Sequence, residues 1–576
     1  MARDLTQAIE NAYSERVNLF VLALTGRTGS GCTTAAAALS KPITELAVSK
    51  EGLSAIEGRK FDICLDFARA QWAPFKVITV STIIYSFLLE EDPGGVESFL
   101  KKTLKGGSSS DAIISSVLIE LQNLKRHSSY KSFADLVGPQ HDLLKSGADA
   151  WCFYADQLSS SAPRIKEILG NQYASVFQTF GDNIRKSGSA ISDVINTSHV
   201  FRLITRVKRI AKSARRWDDR EKVGSTRLVI DAVRNPLELV YLRDQFAAFY
   251  AIAVTASEED RRARLVENGM AKRDVDNLDR REYSKKSLDS YDAFVSQNLQ
   301  ECIQKSDIFV HNNGAPGAFE RTKLQLHAQL IRYVSLILRP GLVTPTADER
   351  CMQLAFVAKI NSGCISRQVG AAITDSNFSI KAVGWNDVPR GQIPCLLRDV
   401  NTLLNSNDEI AFSEYESTNS KFRQTISTSF KNAGAIKTAT GISCPYCFKK
   451  VYNDTTGEKD QVHTRALHAE ENAFMQLVKH GNSGISGGQL YTTASPCELC
   501  SKKAFQLGIR EIIYVDPYPG ISSVHILAAG LVDVRPKLRL FGGAVGNAYH
   551  RLYEPVLPVK DELLARLRDD PPPTLI

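Results

Sequence analysis

Two short segments constrain this chain more than any others: His468-Ala469-Glu470 and Pro496-Cys497-Glu498-Leu499-Cys500. Imidazole nitrogen and thiolate sulfur are the ligands zinc prefers in a tetrahedral shell. His468, Cys497 and Cys500 would fill all but one position and leave the last to water, whose pKa the metal lowers toward neutrality. Cys497 and Cys500 lie about one helical turn apart, so both sulfurs can face one ion. Pro496 suits a helix start, and a helix N-terminus favours thiolate over thiol. Glu470 follows the histidine closely, beside the metal but not needed to hold it. There it can take a proton from the water and pass it to a bound substrate. A lone CxxC would suggest a structural zinc. The missing fourth ligand and the acid beside the histidine favour a catalytic one. A helical pattern runs through 466–478, and an extended apolar run, 489–493, leads into Ser495-Pro496-Cys497.

A chain of 576 residues has room for several domains with ample core. Its 43% hydrophobic and 23% charged composition is that of a globular protein and excludes extensive disorder. The net charge of +8 suits anionic ligands such as nucleotides but is too weak to argue for nucleic acid. The eleven cysteines are an odd number in metal-like spacing, which reads as a reduced protein. The opening residues lack signal-peptide organisation and the apolar runs are too short to span a bilayer. No membrane association and a cytoplasmic location are therefore expected.

The N-terminal half reads as a phosphate-binding α/β domain. The apolar run 17–24 precedes Gly26-Arg27-Thr28-Gly29-Ser30-Gly31-Cys32-Thr33-Thr34, and an Ala-rich helical segment follows. Strand, glycine loop and helix is the context of a Walker A motif, in which backbone N–H groups wrap a phosphate at a helix N-terminus. Gly26, Gly29, Ser30, Gly31, Cys32, Thr33 and Thr34 are its candidate nucleotide-binding residues. Cys32 stands where the motif has lysine, so phosphoryl transfer is not expected, whereas binding of a nucleotide effector is. Further strands are expected at 227–231, 249–255 and 306–314. These pieces resemble small nucleoside-monophosphate and dephospho-coenzyme-A kinases, with Arg261, Arg262 and Arg264 where such kinases carry lid arginines. A helical stretch, 111–216, includes Arg202, Arg206, Arg209 and Arg215 among apolar residues. It is expected to be an amphipathic helix whose basic side is either solvated or contacts RNA or phosphate.

The C-terminal half begins with a helical pattern at 350–361, followed by Ser366-Arg367-Gln368-Val369-Gly370-Ala371, a strand, and Gly384-Trp385-Asn386-Asp387-Val388-Pro389-Arg390-Gly391. After the metal segments come a strand at 511–515 and Tyr518-Pro519-Gly520-Ile521-Ser522-Ser523. H-x-E followed by P-C-x-x-C is the signature of zinc-dependent nucleobase deaminases. In this order the segments resemble deoxycytidylate deaminases over residues 350–545. With the N-terminal half, the chain is similar to bacterial antiphage dCTP/dCMP deaminases. The resemblance implies a P-loop nucleotide-kinase-like domain over 1–318 with a helical insertion near 105–216. A helical connector and linker (319–348), a cytidine-deaminase-like α/β/α domain (349–550) and a tail (551–576) would follow. It also implies zinc held by His468, Cys497 and Cys500, Glu470 as proton shuttle, and Asn386, Arg367 and Tyr518 at the substrate. A homo-oligomer and restraint by a small RNA belong to the same expectation. Cys444-Pro445-Tyr446-Cys447 suggests a second, structural zinc, with Cys395, His463 or Cys364 completing it.

The activity expected is hydrolytic deamination of dCTP to dUTP or dCMP to dUMP, depleting the dCTP pool in antiphage defence, with the N-terminal domain regulatory. The alternative is a polynucleotide deaminase acting on RNA or single-stranded DNA. It would need a basic groove with aromatic stacking platforms, and residues 466–520 show no such interleaving.

Overall fold

A computed structural model of the chain describes residues 2–104, 108–138, 143–283, 290–314, 319–459, 462–481, 484–516 and 525–567. These fall into two compact units, Met1–Thr344 together with the chain from His550 onward, and Pro345–Tyr549. No helix among the described residues is long and apolar enough to cross a membrane.

The first unit is built on parallel strands β1 (Leu19–Thr25), β2 (Lys76–Thr79), β3 (Thr226–Asp231), β4 (Ala248–Thr255) and β5 (Ile308–His311), in the order β5-β4-β1-β3-β2. Continuous apolar runs rather than alternating ones made β1, β3 and β4 legible, because parallel strands are covered on both faces. The four-residue β2 was not legible, since its apolar signal runs straight into the helix Val80–Phe87. A helical block inserts between β2 and β3 and shares one core with the sheet, in which Ile83, Phe133, Phe153 and Phe180 join Val21, Leu228 and Ile230.

The helix Arg202–Arg220 closes that block and corrects the reading of a basic face. Arg206 is 3% exposed, lies 3.3 Å above the Phe87 ring, donates to Ser86 Oγ at 3.0 Å and pairs with Glu90. Arg209 Nη1 donates to the Val137 and Gly138 carbonyls at 2.7 and 2.9 Å, capping the end of another helix. Arg215 Nη1 donates to the Asn18 carbonyl. Apolar periodicity placed the helix correctly, but these guanidinium groups serve internal partners. The chain from His550 onward, expected to be a tail, groups with this unit. Its helix Val559–Leu567 carries Glu562, which accepts from the Tyr13 hydroxyl at 3.0 Å and pairs with Arg339.

The loop leaving β1 lies at the carboxyl end of the sheet beside the point where the strand order reverses, the chain running to β2 on one side and to β4 and β5 on the other. In open α/β sheets this is where ligands bind. The helix Cys32–Leu39 follows it. Gly31 sits at φ +108°, and an added Cβ there would lie 2.1 Å from Asn312 Nδ2, whose amide donates to the Ser30 carbonyl at 2.8 Å. Gly31→Ala should therefore cost the first unit roughly 1–3 kcal/mol by backbone strain and displacement of Asn312. Denaturant unfolding of the two proteins checks this, and an unchanged midpoint would contradict the geometry.

The second unit has strands β6 (Gly370–Thr374), β7 (Ile380–Trp385), β8 (Gln489–Ala494), β9 (Glu511–Asp516) and β10 (Lys537–Leu540), in the order β10-β9-β8-β6-β7. β8, β9 and β10 are parallel, while β6 is antiparallel to both neighbours. Gly370 abuts the Ala355 carbonyl on the helix Ala347–Ala358, whereas Ala371 packs with Ala469 and Ala473 of the helix Ala469–Lys479. Successive strand residues point to opposite faces, so helices cover the sheet on both sides. Gly384 lets the second helix lie close, since a Cβ there would be 2.4 Å from the Ala469 carbonyl oxygen.

Between β7 and β8 the chain forms a helical insertion with a separate core of Val400, Phe412, Phe422, Tyr446 and Val451. A buried ion pair, Arg398 with Glu416, sits inside it, and Tyr446 Oη donates to Glu416 at 2.6 Å. Burial alone would raise the Glu416 carboxyl, but Arg398, the Tyr446 hydroxyl and the Ser413 N–H together hold it below its ordinary 4.5. A depressed folded-state pKa gives stability that is present above the unfolded value and lost as pH falls through the folded one. The insertion should therefore loosen as pH drops below about 4.5. Glu416→Ala, which strands Arg398 as a buried unpaired charge, should cost ~3 kcal/mol at neutral pH. Melting curves of both proteins across the acid range test the two statements together.

Candidate active site

β8 and the helix Ala469–Lys479 bring the two signature segments together. His468 is the N-cap residue of that helix, and Cys497 is the N-cap of the helix Glu498–Gln506, which begins just after β8 ends. Pro496 thus precedes the cap rather than opening the helix. His468 Nδ1 lies 3.3 Å from Cys497 Sγ and 3.5 Å from Cys500 Sγ. A zinc ion at ordinary bond lengths in a tetrahedron separates nitrogen and sulfur ligands by roughly 3.5 Å, so this donor set fits zinc without rearrangement. Among the described residues this is the group of His, Cys, Asp or Glu side chains whose ligand atoms all lie within 4.8 Å of one another.

Electrostatics favour metal binding. Two helix N-termini converge here, and both favour negative charge. The Cys497 thiol is pushed down to about 4, because the Cys500 thiol donates to it and the His468 ring stands beside it. The His468 imidazole is raised by its hydrogen bond with Cys497. Glu471 fixes the frame. One of its oxygens accepts from the His468 backbone N–H at 3.4 Å and the other pairs with Lys503 on the helix Glu498–Gln506. One carboxylate therefore joins the helix of the histidine to the helix of the cysteines.

Glu470 points inward, 4% exposed, and burial raises its carboxyl above the ordinary range. Its Oε1 accepts a hydrogen bond from Thr492 Oγ1 at 3.0 Å. Glu470 is legible in the sequence, whereas Glu471, Lys503 and Thr492 are not. Only a helix-capping pattern at His468 and Glu471 could have hinted at the first of these.

The other expected site residues are placed as follows. Asn386 spans a loop, its Oδ1 accepting from the Val369 N–H at 2.6 Å and its Nδ2 donating to the Arg367 carbonyl at 2.7 Å. Arg367, expected near substrate phosphates, pairs with Asp516 at the end of β9, a side chain only 1% exposed. Tyr518 lies outside the described residues. The second zinc set does not assemble. Cys444 Sγ contacts the Ala433 carbonyl oxygen at 3.7 Å, and Cys447 caps the helix Phe448–Thr456. Cys395 is buried, Cys364 is partly exposed, and the His463 ring packs 4.1 Å from the Tyr452 ring. Among the described residues these side chains do not form a group of three or more whose ligand atoms all lie within 4.8 Å of one another.

In the first unit, Thr33 Oγ1 donates to Asp231 Oδ2 at 2.9 Å. Cys32 is half-buried, and desolvation, then Asp231, pushes its thiol up to about 12, so it brings no charge to the loop. The arginines expected on a lid meet acids instead. Arg261, 1% exposed, donates to the Thr28 carbonyl at 3.0 Å and pairs with Glu258 and Asp279. Arg262 pairs with Asp276 and Asp279, and Arg264 donates to the Asn312 carbonyl.

Residues 345–516 match the cytidine and deoxycytidylate deaminase zinc-binding region. The second unit is a cytidine deaminase-like domain. The chain is 28% identical over 260 residues to the deoxycytidylate deaminase of Schizosaccharomyces pombe, a match spanning 43% of this chain and 64% of that protein. It is 29% identical over 167 residues to the deoxycytidylate deaminase of Enterobacteria phage T2, spanning 29% of this chain and 78% of the phage protein. The phage T4 enzyme of that name is 26% identical over 169 residues, 29% of this chain and 76% of its own length. The chain thus spans just under two thirds of the yeast relative. The dCMP deaminase of cyanophage S-TIM5 in apo form shares 21% identity at a TM-score of 0.20, over 34% of this chain and 100% of that one.

The three-donor set predicts about one zinc per chain on elemental analysis. His468→Ala should lose it, whereas Cys444→Ser should keep it. About two zinc ions per chain would show that the insertion binds metal after all.

Proposed function

We propose that the second unit hydrolytically deaminates a deoxycytidine nucleotide, converting dCMP to dUMP or dCTP to dUTP with release of ammonia. The observation that carries this reading is the buried Glu470 beside the His468, Cys497 and Cys500 cluster. The family match to residues 345–516 and the dCMP-named relatives support it. When bound, zinc would supply a nucleophile by lowering the pKa of water. The chain's own residues do the rest. Glu470 takes the two protons of the water in turn, passing one to ring nitrogen N3 and the other to the departing amine, which leaves as ammonia. Burial raises the Glu470 carboxyl above the ordinary range, which makes it a better proton acceptor than an exposed glutamate. The helix N-termini at His468 and Cys497 keep the ligand atoms aimed at one point, and Glu471 with Lys503 holds the two helices in register. Water enters as nucleophile and leaves its oxygen on C4, while the C4–N bond breaks.

Purified protein should release ammonia from dCMP or dCTP. Glu470→Ala should reduce the rate by roughly 10²–10⁴-fold with zinc content unchanged. Activity on single-stranded DNA or RNA, with none on mononucleotides, would favour the polynucleotide alternative and sink this one.

We further propose that the first unit is a P-loop-derived, regulatory domain in an antiphage enzyme. The β1 loop at the carboxyl end of a parallel sheet supports this. So does the contact of Thr33 with Asp231, the pair of residue types that hold magnesium in P-loop proteins. The neutral Cys32 argues against phosphoryl transfer there.

A further inference from the structure

We infer that Thr492 is a positioning residue for Glu470, a role that rests on the deaminase reading of this site. Thr492 lies on β8, two residues before the strand ends, and is fully buried. Its hydroxyl makes a directed pair of contacts. Oγ1 lies 3.5 Å from the Ala494 backbone N–H, which donates to it, and it donates its own hydrogen to Glu470 Oε1 at 3.0 Å. The Ala494 N–H thereby orients the hydroxyl, and the hydroxyl in turn fixes one oxygen of the carboxylate. A glutamate side chain has a broad terminal torsion, so a carboxylate without this partner can turn within its pocket. With Oε1 held by Thr492 and a further hydrogen bond from the Glu470 backbone N–H, the carboxylate is fixed in one orientation.

The same contact ties two distant parts of the site. Glu470 rides on the helix that begins at His468, and Thr492 on the strand that leads to Cys497. One hydrogen bond therefore couples the direction of the proton-carrying group to the strand that delivers the cysteine ligands. Thr493, the next residue, points the other way and uses its hydroxyl to accept from the Gly370 N–H at 3.1 Å, a contact within the sheet. The neighbouring threonines thus do separate jobs, one structural and one aimed at the reacting groups.

Two substitutions separate positioning from packing. Thr492→Val keeps the shape and removes the donor, while Thr492→Ser keeps the donor and removes a methyl group. The expected result for Thr492→Val is a fall in kcat of about tenfold or more with KM and zinc content unchanged, as for loss of an interaction used in the transition state. Thr492→Ser should stay within about threefold of the parent. The opposite order, with valine active and serine impaired, would show that Thr492 only fills space and would overturn the inference. So would equal kcat values in all three proteins. Absence of deamination in the parent protein would instead remove the reading on which the inference stands, and the parent assay shows this before any variant is compared.

Discussion

The second unit depends on the meeting of two helix N-termini. Each helix starts at a residue that is also a candidate metal ligand, His468 or Cys497. Each therefore aims its N-terminal field, which favours negative charge, at the same small volume. Thiolates are stabilised there, which lets one sulfur sit far below its ordinary pKa beside an imidazole. The Glu471–Lys503 pair keeps the helices from separating, and the sheet beneath fixes where each begins. Glu470 comes with the first helix, so placing the histidine also places the proton carrier. The chemistry of the site follows from this geometry more than from any single residue.

The insertion and the first unit show the same principle applied to structure alone. Charged groups that would be conspicuous in a sequence are neutralised by partners that the fold brings to them, some on the same helix and some more than a hundred positions away. Arg398 meets Glu416 and Tyr446 in an aromatic core. Arg206 lies over Phe87 and pairs with Glu90. Arg261 and Arg262 are bound by Glu258, Asp276 and Asp279. Buried guanidinium groups need such partners, because an unpaired charge out of water is costly. A string of arginines on a helix therefore does not by itself mark a surface for phosphate.

Legibility in the sequence followed the range of the interactions involved. β1, β3 and β4 could be read because a fully covered strand writes a continuous apolar run. β2 could not, because four residues followed by an apolar helix carry no boundary. The ligands His468, Cys497 and Cys500 were readable because zinc demands particular atoms at close spacing. Thr492 was not, since a threonine in a buried strand looks the same whether its hydroxyl serves the sheet, as in Thr493, or the site. Cys444 and His463 had the right atoms for metal, but packing against Ala433 and Tyr452 spends them on the insertion core.

The sequence alone determined the elements of local chemistry: which side chains can hold zinc, which acid stands beside them, and which glycines form the loop after β1. These are set by residue type and short spacing. Tertiary structure decided everything that needs a partner from elsewhere. It chose the bond from Thr492 to Glu470, the clamp of Glu471 on Lys503, the commitment of Asn386 to the segment before β6, and the burial of the arginines. The physical reason is that hydrogen bonds and ion pairs are made between atoms a few ångströms apart in space, and distance along the chain says little about that.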